Sequence, residues 1–292
     1  MAKSGPNCFL VGASKSGTTY LAEVLGRQPG VYVPAKKEFH FYADDLNCGG
    51  LRVASHERYL QYFEPGNESI WRIDASTSYL YSDSAAQKIK AVYPEARIII
   101  MLRNPVVRAY SMYWHNRLRG YETLEFWRAL QEEAMRVSEH WLWSFHYLHS
   151  GLYAAQVKRY LELFPRENIH ILFSEHLFND HEKYMRRILR WLSLQYSNSP
   201  PGEARNASGA PRNLWISRLL SPSNEMLRRV GNASPDWLLK LRRRLIAWNT
   251  KRPPPMSHDV AEFLCEYFRK DVYSLTRELD MDVPWQEFNQ EE

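Results

Sequence analysis

Cys8-Phe9-Leu10-Val11-Gly12-Ala13-Ser14-Lys15-Ser16-Gly17-Thr18-Thr19-Tyr20-Leu21-Ala22-Glu23-Val24-Leu25 decides the fold. It reads as a short apolar strand, a glycine-bounded loop carrying one lysine, and a helix. Glycines let backbone N–H groups turn inward, and a helix N-terminus adds partial positive charge, so the order suits a phosphate group. A nucleotide-kinase loop reads GxxxxGK[ST], with lysine directly after the second glycine. Gly12 and Gly17 keep that spacing, but Thr18 stands where the lysine belongs and Lys15 lies inside the loop. The stretch therefore suits a phosphorylated ligand other than the β/γ-phosphates of ATP. Taken alone, the same residues also fit an ordinary Gly/Ser/Thr turn.

Outward from this point, apolar runs alternate with helical patterns. Strands are expected at 8–12, 31–33, 70–74, 97–102 and 168–173. Helices are expected at 18–27, 83–93, 105–119, 151–164, 181–193, 213–230, 235–247 and 258–279. Arg97-Ile98-Ile99-Ile100-Met101-Leu102 is a continuous β-branched run of the kind buried on both faces of a parallel sheet. The alternation predicts an α/β fold of three layers, P-loop-like, with a central parallel sheet flanked by helices. Ligands in such folds bind beyond the carboxyl ends of the strands, where Gly12 and Arg103 both fall. Val260, Phe263, Leu264, Tyr267, Phe268, Leu275 and Leu279 mark a core-facing stripe on the last helix. Segments 197–212 and 249–257 read as surface loops, able to close over a ligand or to serve as plain linkers.

Bulk properties bound the answer. The 292 residues are 45% hydrophobic, 24% charged and 14% aromatic, a globular composition. One domain covering 1–292 is expected. The formal charge of +5 favours anionic ligands weakly, and nucleic acid is not expected as a partner. Cys8, Cys48 and Cys265 are scattered and odd in number, which suggests reduced thiols and a cytoplasmic setting. Without a secretory signal, the Asn-x-Ser sequons at Asn67, Asn206 and Asn232 read as chance matches. No apolar run of about 18 residues predicts a membrane span.

A second element follows the isoleucine-rich strand: Arg103-Asn104-Pro105-Val106-Val107-Arg108-Ala109-Tyr110-Ser111. Asn104 is a good N-cap and Pro105 suits the first helical position. Arg103 then sits at a strand end and Ser111 on the second turn of the helix. A guanidinium fork and a hydroxyl can hold a phosphate, though a surface arginine and an ordinary helical serine would look the same.

Together the two elements resemble the cofactor-binding parts of sulfotransferases that use 3′-phosphoadenosine 5′-phosphosulfate (PAPS). Residues 12–19 are similar to the 5′-phosphosulfate loop, and 103–111 to the 3′-phosphate element. The resemblance covers most of the chain and lies nearest the heparan-sulfate type and its bacterial relatives. Lys36-Lys37-Glu38-Phe39-His40-Phe41-Tyr42 looks like that group's Glu-x-His-aromatic-aromatic segment. Asp74-Ala75-Ser76-Thr77-Ser78-Tyr79 falls where the group often has Lys-Thr-Pro. Gly151-Leu152-Tyr153, Leu163-Phe164-Pro165 and Ile169-His170-Ile171-Leu172 are similar to its middle section, and Asn249-Thr250-Lys251-Arg252 to its closing loop.

What the resemblance implies is a sulfotransferase using PAPS as donor, with 3′,5′-adenosine bisphosphate (PAP) as product and no metal. Ser16, Gly17, Thr18 and Thr19 would hold the 5′-phosphate, while Lys15 would neutralise charge on the leaving oxygen. Arg103 and Ser111 would hold the 3′-phosphate, with Lys251 and Arg252 closing over it. Glu38 would be the base that takes the acceptor's proton, and His40 would share that proton or hold the acceptor. Along an extended strand, Glu38 and His40 would face the same side. The acceptor would be a hydroxylated small molecule or carbohydrate: a glycan, glycolipid or polar natural product. Alternatives from other classes are a P-loop kinase of a small metabolite and a non-catalytic nucleotide-binding protein. Ala43 stands where the group has an acidic residue, and Ala75 where it has an acceptor-side lysine. Tyr110, Tyr113, Trp114, Tyr121, Trp127, Trp141, Trp143, Phe145 and Tyr147 are candidates to line an acceptor cleft, with about half expected in the core.

Overall fold

A computed structural model of the chain describes residues 5–197, 209–221 and 236–288. The chain divides into two compact units. One comprises Met1–Arg108, Ser150–Arg205 and Cys265–Glu292; the other comprises Ala109–His149 and Asn206–Leu264.

The first unit is built on strands β1 (Cys8–Gly12), β2 (Val31–Tyr32), β3 (Trp71–Asp74), β4 (Arg97–Leu102) and β5 (Ile169–Phe173). All five predicted strands are present, with ends shifted by a residue at most. They form one sheet in the order β2-β3-β1-β4-β5, and every pairing is parallel. In chain order the helices are α1 (Thr18–Leu25), α2 (His56–Gln61), α3 (Ser78–Tyr81), α4 (Ala85–Val92), α5 (Pro105–Leu118), α6 (Phe126–Gln131) and α7 (Glu133–Ser138). Then come α8 (Tyr153–Leu163), α9 (Ser174–Asn179), α10 (His181–Trp191), α11 (Leu214–Leu219), α12 (Asp236–Trp248) and α13 (His258–Leu279). Of the helix predicted at 213–230, residues 222–230 lie outside the described residues. So do residues 198–208 of the predicted loop and the sequons at 206 and 232. Helices α2, α3, α6, α7 and α9 were not anticipated.

Why β4 lacks alternation is now visible. Residues Ile98 through Leu102 are all fully buried. Successive side chains point to opposite faces. Ile99 and Met101 join Leu10, Leu21, Leu172 and Ile188 in a single cluster with α1, α9 and α10. Ile98 and Ile100 face the other side. There α3 packs on β1, and α8 packs on α3 and α4. Both sheet faces are thus covered, as parallel sheets require.

Sheet topology also places the loops. β1 lies between β3 and β4, so the chain reverses its direction of strand addition there, and the carboxyl ends of β1 and β4 are neighbours at one edge of the sheet. Against β4, the register of β1 slips between Leu10 and Gly12. This irregularity bends the strand immediately before the loop.

The second unit carries the rest of α5, α6, α7, α11, α12, the start of α13 and a two-stranded ribbon, β6 (Ala210–Pro211) with β7 (Thr250–Lys251). Its buried centre holds an ion pair: Arg136 Nη1 donates to Glu122 Oε2 at 2.6 Å. The Tyr147 hydroxyl donates to the same oxygen at 2.9 Å, and the Thr123 and Leu124 amides donate to Glu122 Oε1. Four donors compensate the buried carboxylate. Of the aromatic residues considered as cleft lining, Tyr113, Trp143, Phe145 and Tyr147 are core, whereas Trp127 and Trp141 are exposed.

At Gly12 the backbone φ is +154°, and a Cβ would stand 2.7 Å from Leu80 Cβ and 3.1 Å from the Thr77 carbonyl oxygen. Gly12→Ala is expected to lower stability by roughly 1–3 kcal/mol. Urea unfolding of the variant beside the wild type measures it, and an unchanged midpoint would contradict it.

Candidate active site

Gly17 caps α1 in the left-handed region, φ 91°, where a glycine is at ease. No side chain caps the helix, and its first turn carries no acidic residue. The first-turn N–H groups, which lack intrahelical partners by construction, are therefore left to an external acceptor. Lys15, also left-handed at φ 66°, forms the bend of the loop.

Neighbouring strand ends hold this loop. The Ala13 amide donates to the Met101 carbonyl at 2.6 Å. Arg103 Nη1 donates to the Lys15 carbonyl at 3.0 Å. The Ser174 hydroxyl lies between the Ser16 and Leu102 carbonyls. Arg103 is held in turn by Tyr153, whose hydroxyl donates to the Arg103 carbonyl at 2.9 Å. Asn104 caps α5 as expected, accepting the Val106 and Val107 amides at 3.0 and 3.2 Å. Lys15 and Arg103 thus belong to one hydrogen-bonded junction. Burial lowers the Arg103 pKa, with Glu175 opposing that shift.

Glu38 and His40 need a correction. They do not lie on an extended strand: both adopt left-handed backbone, φ 60° and 51°. Polar groups following β3 hold the segment in this form. The Phe39 amide donates to Ser76 Oγ at 2.9 Å, and the Glu38 amide to the Ala75 carbonyl at 3.3 Å. The Phe41 amide donates to the Tyr79 hydroxyl at 3.1 Å. Glu38 accepts the Thr77 amide at 2.9 Å and the Thr77 hydroxyl at 3.0 Å. His40 Nδ1 shares a 2.7 Å hydrogen bond with Ser78 Oγ. The two kinks still bring His40 Nε2 to 4.0 Å from Glu38 Oε2.

Titration follows from these surroundings. Burial raises the Glu38 pKa, while the Thr77 hydrogen bonds and Lys37 pull it back and Asp74 pushes it up. Its side chain nonetheless keeps 34% of its surface open. Burial, helped by Lys36, pushes His40 down to about 4, so the imidazole is neutral at pH 7. Lys36 stacks over Tyr62, 5.1 Å from the ring centre.

Behind this segment lies a group whose role was not foreseen. Asp74, fully buried, accepts hydroxyls from Tyr59 at 2.6 Å, Tyr79 at 2.9 Å and Ser76 at 2.6 Å. Ser76 passes this anchoring on to the Phe39 amide. The cluster of hydroxyl residues directly after a strand, Ser76-Thr77-Ser78, was the available signal.

Ser111, Lys251 and Arg252 belong to the second unit. Ser111 is buried on α5, and Lys251 sits on β7. Within that unit Lys251, Trp114, Arg117, Arg212 and Trp215 line a cleft of about 430 Å³. Among the described residues, no group of three His, Cys, Asp or Glu is arranged to hold a metal. Nor is any described helix long and apolar enough to cross a membrane.

A family model described as a sulfotransferase domain matches residues 6–207. The chain belongs to the sulfotransferase family. This sulfotransferase is 28% identical over 208 residues to the bifunctional heparan sulfate N-deacetylase/N-sulfotransferase 1 of Caenorhabditis briggsae, covering 66% of this chain and 23% of the relative. It is 24% identical over 195 residues to heparan sulfate glucosamine 3-O-sulfotransferase 5 of Homo sapiens, covering 65% and 54%. It therefore spans between about a quarter and about half of these relatives' lengths. The crystal structure of a sulfotransferase from Alicyclobacillus acidocaldarius matches with TM-score 0.73 and 28% identity, covering 96% of this chain and 97% of that one. A mouse sulfotransferase complexed with PAP shares the fold at TM-score 0.50 and 17% identity, covering 94% and 88%. The kinase alternative is set aside.

Asp74 carries a pH signature. Burial raises its pKa from 3.8 to about 6. An acid that binds protons more tightly when folded costs stability as pH rises through that window. Asp74→Asn removes the cost, so the stability of the variant relative to wild type should improve by roughly 3 kcal/mol from below pH 4 to above pH 6. Urea titrations across that range test it, and a pH-independent difference would contradict the assignment.

Proposed function

We propose that this chain transfers a sulfuryl group from PAPS to a hydroxyl of a carbohydrate or other polar acceptor, with Glu38 as base. What supports this most is the uncapped N-terminus of α1 beside a junction of Lys15 and Arg103, with the separate Glu38–His40 pair in the same unit. The donor residues fit the cofactor: orphan N–H groups, hydroxyls and cations, with no acidic side chain in the first turn of the helix.

PAPS, when bound, supplies an activated sulfuryl group and a nucleotide leaving group. Ser16, Gly17, Thr18 and Thr19 offer N–H and hydroxyl donors to the 5′-phosphate. Lys15 offers its ammonium to the oxygen on which charge develops, and such preset charge stabilises a loose transition state. Glu38 takes the proton of the attacking hydroxyl. Its raised proton affinity suits this task better than an ordinary surface carboxylate would. Neutral His40 holds the acceptor oxygen or shares its proton. Arg103, Ser111, Lys251 and Arg252 are assigned to the 3′-phosphate on the family resemblance.

A carbohydrate acceptor is supported by the two relatives described above, both named for heparan sulfate. Ala43 and Ala75 replace side chains typical of that group, so the acceptor extends to glycans, glycolipids or polar natural products in general.

Glu38→Gln keeps the shape and removes the base. Turnover of labelled PAPS is expected to fall by roughly 10²–10⁴-fold, with calorimetric PAP binding nearly unchanged. Full turnover in a variant that binds PAP would exclude Glu38 as base.

A further inference from the structure

Charge is unevenly spread along the sequence. Between Arg212 and Arg252 lie ten Lys/Arg and only two acidic residues, Glu225 and Asp236. The whole chain has 38 Lys/Arg and 33 Asp/Glu, which leaves 28 and 31 for the remainder. The chain's positive charge therefore resides in this one segment, and the rest is slightly acidic.

Within the segment, α11 is inside out. Its buried residue is Ser217, 3% exposed, followed one turn later by Ser221, also 3%. Its most exposed apolar residues are Trp215 at 75% and Leu219 at 66%, again one turn apart. A helix serving only the core would reverse this arrangement. On α12, Leu241, Leu245 and Trp248 fall on one face by spacing and are 45%, 37% and 63% exposed. The two helices are joined, because the Arg242 guanidinium donates to the Leu220 carbonyl at 2.9 Å and the Asn249 side-chain Nδ2 to Ser217 Oγ at 2.9 Å. Arg218 lies over the Trp215 ring, 5.4 Å from its centre.

We propose that α11 and α12 form a docking face that seats the chain peripherally on an anionic lipid bilayer. Tryptophan and leucine on one side of short helices, with arginine beside them, match an acyl–headgroup boundary. The rings and aliphatic chains enter the apolar layer while guanidinium groups meet lipid phosphates. The concentrated positive charge supplies attraction toward a negative surface and is weakened by salt. Trp215 also lines the 430 Å³ cleft, so docking would leave that cleft beside the bilayer surface.

Co-sedimentation tests this with the full chain and two vesicle types, phosphatidylcholine alone and phosphatidylcholine mixed with phosphatidylglycerol. The chain should pellet with the mixed vesicles, remain in solution with the neutral ones, and be released by added salt. A Leu219→Ser/Trp248→Ser double variant with unchanged melting temperature should lose about tenfold in partitioning. Arg244→Glu, at an exposed position, provides a second variant and should also weaken binding. No binding to mixed vesicles, or binding that the double variant leaves intact, overturns the proposal. So does a concentration-dependent dimer that the double variant abolishes while vesicles bind nothing, which would assign the face to a second copy. None of these readouts requires donor or acceptor, so their failure leaves the sulfotransferase reading untouched.

Discussion

The loop after β1 depends on its attachment to the ends of the adjacent strands. Ala13, Lys15 and Ser16 are bound from β4, from Arg103 just beyond it, and from Ser174 at the start of α9. Neighbouring elements engage the Lys15 and Ser16 carbonyls and the Ala13 amide, and so order the loop from outside. The parallel sheet makes this possible, because it brings the carboxyl ends of β1, β4 and β5 to one edge.

A similar logic governs the segment from Glu38 to Phe41. Left-handed backbone at non-glycine residues is costly, roughly 1–3 kcal/mol each. The compensation comes from residues 75–79, whose backbone and side chains meet the amides, the carboxylate and the imidazole of this segment. Buried Asp74 lies behind them. Its partners are hydroxyls, so its charge is solvated within the fold without being cancelled by a cation.

Much of this was legible in the sequence. The five strands were, because runs such as Cys8–Val11 and Ile98–Leu102 are buried on both sides and carry continuous apolar signals. The long helices were too, through their repeating stripes and, for α5, through Asn104 and Pro105. Helices α2, α3, α6, α7 and α9 have four to six residues, too few for a periodic pattern to emerge. Ser55 does cap α2, accepting the Arg58 amide at 3.3 Å, but one serine is a faint mark. The candidate site residues came from motif resemblance. The kinks at Glu38 and His40 were not legible, since their cause lies nearly forty positions away in the chain. Lys15 and Arg103 meet only through the pairing of β1 with β4, which no local pattern encodes.

The hydroxyl cage around Asp74 has one more consequence. Its negative charge adds a small push to the proton affinity of Glu38, which burial mainly raises. Basicity at the open end of the site is thus partly set by a remote electrostatic bias. Tyr59, on α2 and with no hydrogen bond to Glu38, helps to set that bias by holding Asp74. The carboxylate that anchors the segment through Ser76 therefore also biases the protonation of Glu38, by a route other than contact.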